Sequence, residues 1–206
     1  MKTTISRLYD SYDAAANAVN GLVDAGVPHE DISIVASNAE GRSVPTVVET
    51  TDAGGGAGTG AGIGGLLGGG AGLLAGLGML AIPGLGPVVA AGWLAATAAG
   101  AVAGVAAGAV TGGIIGALTG AGVSEEHAHV YAEGVRRGGA LVTARVDDER
   151  LAAANTILDR HGAIDPDERA RLYRDSGWER FDERADPYTT EQVERERRLY
   201  ERGPMV

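Results

Sequence analysis

From Ala53 to Val89 the chain reads AGGGAGTGAGIGGLLGGGAGLLAGLGMLAIPGLGPVV, and it continues in the same manner to Val123. Between Ala53 and Val123 there is no Asp, Glu, Lys or Arg, and 25 of the protein's 34 glycines fall there. Many of them step in fours: Gly56, Gly60, Gly64, Gly68, Gly72 and Gly76, then Gly100, Gly104, Gly108, Gly112, Gly116 and Gly120, with Gly92 and Ala96 continuing the second ladder backwards. Between the ladders lies Ile82-Pro83-Gly84-Leu85-Gly86-Pro87, in which one proline ends a helix and the other can begin the next. The spacing predicts two long helices joined by a tight turn.

Such helices need a reason to form, because an interior glycine costs up to about 1 kcal/mol against alanine in water. Small residues four apart clear one stripe of side chains and let two helix backbones approach closely. Each four-residue step overshoots the helical turn by about 40°, so the stripe wraps slowly and favours right-handed crossing. The twelve ladder glycines are therefore the candidate oligomerisation seam, and a homo-oligomer is the expected state.

Two settings suit the seam. Each predicted helix can exceed the roughly 20 residues that span a bilayer, and the first is rich in Leu, from Leu66 to Leu80. The flanks, however, are acidic at Glu49, Asp52, Glu125 and Glu126, without the Lys and Arg that orient a span. Insertion in the inner membrane and burial within a soluble assembly both stay open. The amino terminus leads straight into a polar, alternating segment without the apolar run of a signal peptide, so a cytoplasmic location is expected.

Outside this stretch the grammar is that of an α+β domain. Ile5 and Leu8 alternate with Thr4 and Ser6 as in a strand, Asp10 or Ser11 can cap a helix through Ala15, Val19 and Leu22, and Asp31 to Ala36 give a second strand. Ser37 to Ser43 suits a loop, and Val44 to Thr51 a further strand. After the glycines, Ser124 can cap a helix ending at Arg136 and Arg137, Ala140 to Val146 is a strand, and Asp147 or Asp148 can cap a last helix before Ala163-Ile164, a short final strand. Two β-α-β units of this kind predict a ferredoxin-like sheet. The expected organisation is 1–52, first half; 53–123, glycine-zipper helical hairpin; 124–164, second half; 165–206, a charged tail. With twelve acids and nine arginines and almost no aliphatic residues, the tail is expected to be partly disordered, with short helices at Asp167–Arg174 and from Thr189, where Gln192 completes a capping box. Trp178, Phe181 and Tyr188 are the large side chains available to dock it.

The segments Thr4-Ile5-Ser6-Arg7-Leu8-Tyr9-Asp10, Asp13-Ala14-Ala15, Ala25-Gly26-Val27 and Asp31-Ile32-Ser33-Ile34-Val35 resemble those of bacterial heat-induced general stress proteins with a YflT-type domain. The resemblance covers about residues 2 to 164. It implies a stress-linked, non-enzymatic protein, in many members with a glycine-zipper insertion before a second α-β portion.

Chemistry is excluded more than suggested. A net charge of -10 disfavours nucleic acid and anionic lipid surfaces, and the absence of cysteine removes thiolate catalysis and zinc-thiolate sites. Nine aromatic residues offer little for a large aromatic-lined pocket, so a small-molecule ligand is disfavoured. Gly60-Ala61-Gly62-Ile63-Gly64-Gly65 satisfies the dinucleotide fingerprint, yet no acid follows until Glu125 to hold a ribose, so no cofactor is expected. Glu125 and His129 share a helix face, but two ligands do not make a metal site. Asp147, Asp148 and Glu149 sit where capping explains them better than catalysis.

Overall fold

The structure, a computed structural model, describes residues 1–39, 41, 78–94, 97 and 113–201. Its elements are β1 (Lys2–Tyr9), α1 (Tyr12–Asp24), β2 (Ile32–Ser37), β3 (Gly78–Ile82), β4 (Gly86–Gly92), α2 (Gly113–Gly120), α3 (Glu125–Arg136), β5 (Ala140–Asp147), α4 (Leu151–Arg160), α5 (Pro166–Asp175) and α6 (Thr190–Glu201). The architecture is α+β. Five strands form one sheet in the order β1-β5-β2-β4-β3, with every neighbouring pair antiparallel.

Local chemistry sets most boundaries. The Ser11 hydroxyl accepts the Ala14 N–H at the start of α1, and Gly26 ends it at φ +80°, a left-handed conformation that glycine adopts without penalty. Ser124 caps α3 through the His127 N–H. Since β1 and β2 both run antiparallel to β5, they are parallel to each other, and α1 carries the chain between them over the central strand. Beyond α4, Ile164 donates its N–H to the Leu8 carbonyl and bridges β1 antiparallel, so the short final strand expected at Ala163-Ile164 is a single bridge.

Each sheet face has its own core. On one, Ile5, Tyr9, Ile34 and Val142 pack against Val19 and Leu22 of α1 and Leu158 of α4, and the buried Tyr9 hydroxyl donates to the Leu158 carbonyl. On the other, Leu8, Val35, Val88 and Leu141 meet Ile114 and Leu118 of α2 and Ala128, Tyr131 and Val135 of α3. The central strands are covered on both sides, and β5 accordingly begins with the apolar run Ala140-Leu141-Val142, buried on both faces.

Three expectations are corrected. The helical hairpin is overturned at Gly78–Gly92, where the chain forms a β-hairpin that extends the sheet beyond β2. The turn at Ile82 to Gly86 stands where expected, closed by the Leu85 N–H on the Ile82 carbonyl, with Gly84 and Gly86 at φ +75° and +81°; the elements it joins are strands. Glycine weakens a helix here, Pro87 is tolerated at a strand start, and the alternation Val88-Val89-Ala90-Ala91 supplies side chains small enough to be buried on both faces. The charged tail forms the two short helices expected at Asp167–Arg174 and from Thr189 as α5 and α6, but over its described residues it packs on α3 where partial disorder is expected. Finally, neither Asp147 nor Asp148 caps α4, because a 3-10 turn at Asp148–Arg150 moves the helix start to Leu151 and turns Asp148 toward Thr3.

Of the ladder glycines, Gly116 and Gly120 lie in α2; Gly56, Gly60, Gly64, Gly68, Gly72, Gly76, Gly100, Gly104, Gly108 and Gly112 lie outside the described residues, as do the 60–65 fingerprint and the strand expected at 44–51. Among the described residues no helix is long and apolar enough to cross a membrane.

Candidate functional site: the arginine network beneath the tail

Helix α3 is buried on two sides. Ala128, Tyr131, Ala132 and Val135 face the sheet, while Val130 contributes to a separate cluster with Ala170, Tyr173 and Trp178 of the tail. Glu126, Val130, Glu133 and Arg137 recur at steps of four, three and four, so they share one outward stripe, and the tail lies along it. At its amino-terminal end Arg174 pairs with Glu126 at 2.7 Å and Asp167 meets His127 at 3.0 Å.

The other end is a network of charges taken out of water. Glu133 is fully buried, and one of its carboxylate oxygens accepts from Arg136 at 2.9 Å and from Arg137 at 2.7 Å. Arg137 reaches on to Glu196 of α6 at 3.1 Å, and Glu196 also accepts the Tyr200 hydroxyl. Arg169 of α5 makes a two-pronged pair with Asp10 at 2.7 and 3.0 Å, tying the tail to the loop after β1. The guanidiniums also stack on rings: Arg169 lies 3.9 Å from the Tyr200 ring centre, and Arg137 lies 4.3 Å from that of Tyr173.

Protonation states follow from this packing. Burial, the largest single influence, would favour neutral Arg137, but the hydrogen bond and charge of Glu133 together with the charge of Glu196 outweigh it and hold the guanidinium more firmly charged than usual; Asp10 with Tyr173 and Tyr200 does the same for Arg169. Burial pushes the Tyr173 phenol up to about 12 and raises Tyr200 as well. These two guanidiniums and two phenols stay in one protonation state near neutrality, and their side-chain contacts tie α3, α5 and α6 together.

Beside it opens a cleft of about 400 Å³ between α5, α6 and the end of the sheet. Arg137, Arg169, Glu196 and Tyr200 line its inner part, and the apolar walls are Ile164, Leu172 and Leu199. The exposed carboxylates of Asp165 and Glu168 complete the lining.

The residues singled out from sequence fare differently. Glu125 and His129 do approach, at 3.8 Å, but among the described residues no group of three or more His, Cys, Asp or Glu side chains could hold a metal. The Thr189–Gln192 capping box is formed by reciprocal hydrogen bonds, and Trp178 and Phe181 are buried as docking residues. Glu133, Arg137, Arg169 and Tyr173 were not singled out. The available signal was the width of the apolar face on α3, where Ala128, Val130, Tyr131, Ala132 and Val135 cover too much of the circumference for a helix packed on one side only.

Sheet, two covered faces and a tail-clamped outer helix define an α+β domain with residues 165–201 packed along it. Residues 4–84 match the family model of the heat induced stress protein YflT domain. The match runs from β1 into the turn of the β3–β4 hairpin and covers under half of the chain. No curated protein and no solved structure matches the chain.

Proposed function

We propose that the chain is a non-enzymatic general stress-response protein whose domain is a scaffold for self-association through its glycine ladders. The carrying observation is where the ladders join the fold. Residues 40–77 connect β2 to β3 and residues 95–112 follow β4, so both ladder-bearing segments attach at the same end of the sheet order. We read the interleaved β1-α1-β2 and β5-α4-Ile164 units as ferredoxin-like, with the glycine-rich segments inserted at the outer strands. A packed domain with its tail clamped by the arginine network is a base from which small-residue stripes can meet those of a second copy.

Sizing by light scattering tests the reading. The Gly104→Leu, Gly108→Leu, Gly112→Leu variant raises helix propensity and hydrophobicity but blocks close backbone approach, so its mass should fall toward the monomer. An unchanged oligomer removes the ladders from the interface. Carbonate washing of native membranes distinguishes the two settings: protein that stays in the pellet marks inner-membrane association, and full release marks a soluble cytoplasmic assembly.

A further inference from the structure

We propose that the cleft between α5 and α6 is a binding site for an amphiphilic organic cation, an aliphatic chain ending in an ammonium group. Its walls are unusual for their surroundings. Among the described residues the exposed large hydrophobics are Met1, Met79, Leu172 and Leu199, and the two leucines belong to different helices of the most charged part of the chain yet line this one cleft. Leu172 is 42% exposed and Leu199 55%, and Ile164 stands with them, so among the described residues the cleft offers an apolar slot with nothing seated in it.

The charge lining that slot is negative. Four carboxylates, Asp10, Asp165, Glu168 and Glu196, stand against two guanidiniums, Arg137 and Arg169. Both guanidiniums are only 7–8% exposed and already engaged, Arg169 by both oxygens of Asp10 and Arg137 by Glu133 and Glu196. An incoming anion therefore finds no free positive partner among the lining residues, whereas an incoming cation finds Asp165 and Glu168 exposed. Hydrogen bonding by the Glu168 N–H holds the Asp165 carboxyl below its ordinary range and keeps it ionised near neutrality. A volume of about 400 Å³ is that of a small-molecule pocket rather than a helix groove. Few aromatics disfavoured a ligand in the sequence; the walls here are leucines, which that count does not see.

Hexylammonium is the probe, titrated into the full chain by calorimetry, with hexanoate as the control of equal apolar length. Hexylammonium should saturate one site and hexanoate should not bind. Glu168→Gln, which keeps the backbone hydrogen bond, and the Asp165→Asn, Glu168→Gln pair, which keeps an N-cap acceptor, should weaken the cation by several-fold and about tenfold respectively. Leu172→Ser with Leu199→Ser should abolish saturation while circular dichroism and the melting temperature stay close to wild type, since both side chains are exposed. The proposal is overturned by absence of saturable hexylammonium binding, by equal binding of hexanoate, or by unchanged affinity in the folded carboxylate variants.

Discussion

Residues 78–92 hold no charged side chain, and residues 165–201 hold twelve acids and eight arginines, yet both segments are built into one fold. They enter it by opposite routes. The β3–β4 hairpin joins mainly through its backbone: β4 pairs with β2 along Ser33–Ser37 and buries only small side chains, Val88, Val89, Ala90 and Ala91, while Ile82 and Leu85 at the turn add the larger ones. The tail joins through side chains, with Tyr173, Trp178 and Phe181 buried and Arg169 and Arg137 neutralised in place. One region should be sensitive to backbone conformation and the other to single side-chain deletions.

The sharpest break should come at Glu133. Its replacement by Ala leaves Arg136 and Arg137 buried without their shared carboxylate, and removing one partner of a buried pair costs about 3–5 kcal/mol. Urea unfolding measures this; a loss under about 1 kcal/mol would show that Glu196 and water replace Glu133 easily. Next is Trp178→Ala, which empties the cluster around Val130 and removes the edge-on contact with Tyr173 at 5.5 Å between centroids. A loss of about 3 kcal/mol is expected, at the low end for a buried aromatic because Trp178 keeps 9% of its surface exposed.

Two glycines of the second ladder then separate the readings of the glycine-rich stretch. In a uniform helical ladder Gly92 and Gly120 are equivalent. In the structure Gly92 has φ +88° and an added Cβ would lie 2.1 Å from the Ile32 carbonyl oxygen, whereas at Gly120 it would meet nothing within 4 Å. Gly92→Ala should cost about 1–3 kcal/mol or more through backbone strain and clash with a neighbouring strand. Gly120→Ala should stabilise α2 by up to about 1 kcal/mol. Equal signs in thermal denaturation would return both to one helical seam.

What was legible in the sequence follows the same division. Strands β1, β2 and β5 and helices α1 and α3 carry local signals: alternation, a Ser cap, a glycine that can turn left-handed. The β-hairpin was illegible because Gly and Ala carry little strand signal, and a four-residue spacing of glycines says nothing of the backbone they sit in. The buried network was illegible for another reason. Arg169 and Asp10 are 159 residues apart, and opposite charges in a mixed tail look solvated until the fold places them together. Two signals point to the covering: the excess apolar width of α3, and the large side chains Trp178 and Phe181 in an otherwise polar tail.

The smallest effect concerns His129, which lies at the contact between α3 and the tail and tests whether that contact persists in solution. Its side chain is 12% exposed, Nδ1 has no hydrogen-bond partner among the described residues, and Glu125 stands 3.8 Å from Nε2. Burial lowers its pKa from the ordinary 6.5, Arg180 of the tail lowers it further, and Glu125 and Glu183 oppose both without reversing the shift. In the unfolded chain the ring takes up its proton near 6.5, whereas in the folded chain it does so only at lower pH. Between those two values the unfolded state binds more protons, so the stability due to neutral His129 is complete above the unfolded pKa and is lost as the pH falls through the folded one. His129→Gln removes the titration but not the helix, so its melting temperature should fall less than that of wild type from about pH 7 to about pH 5, before the carboxylates begin to protonate. Truncation after Ile164 removes Arg180 and uncovers the ring, and should reduce the same slope if the tail is docked. Parallel curves for wild type and His129→Gln would mean that the tail does not shield this histidine, and would weigh against the docked arrangement more directly than any loss of overall stability.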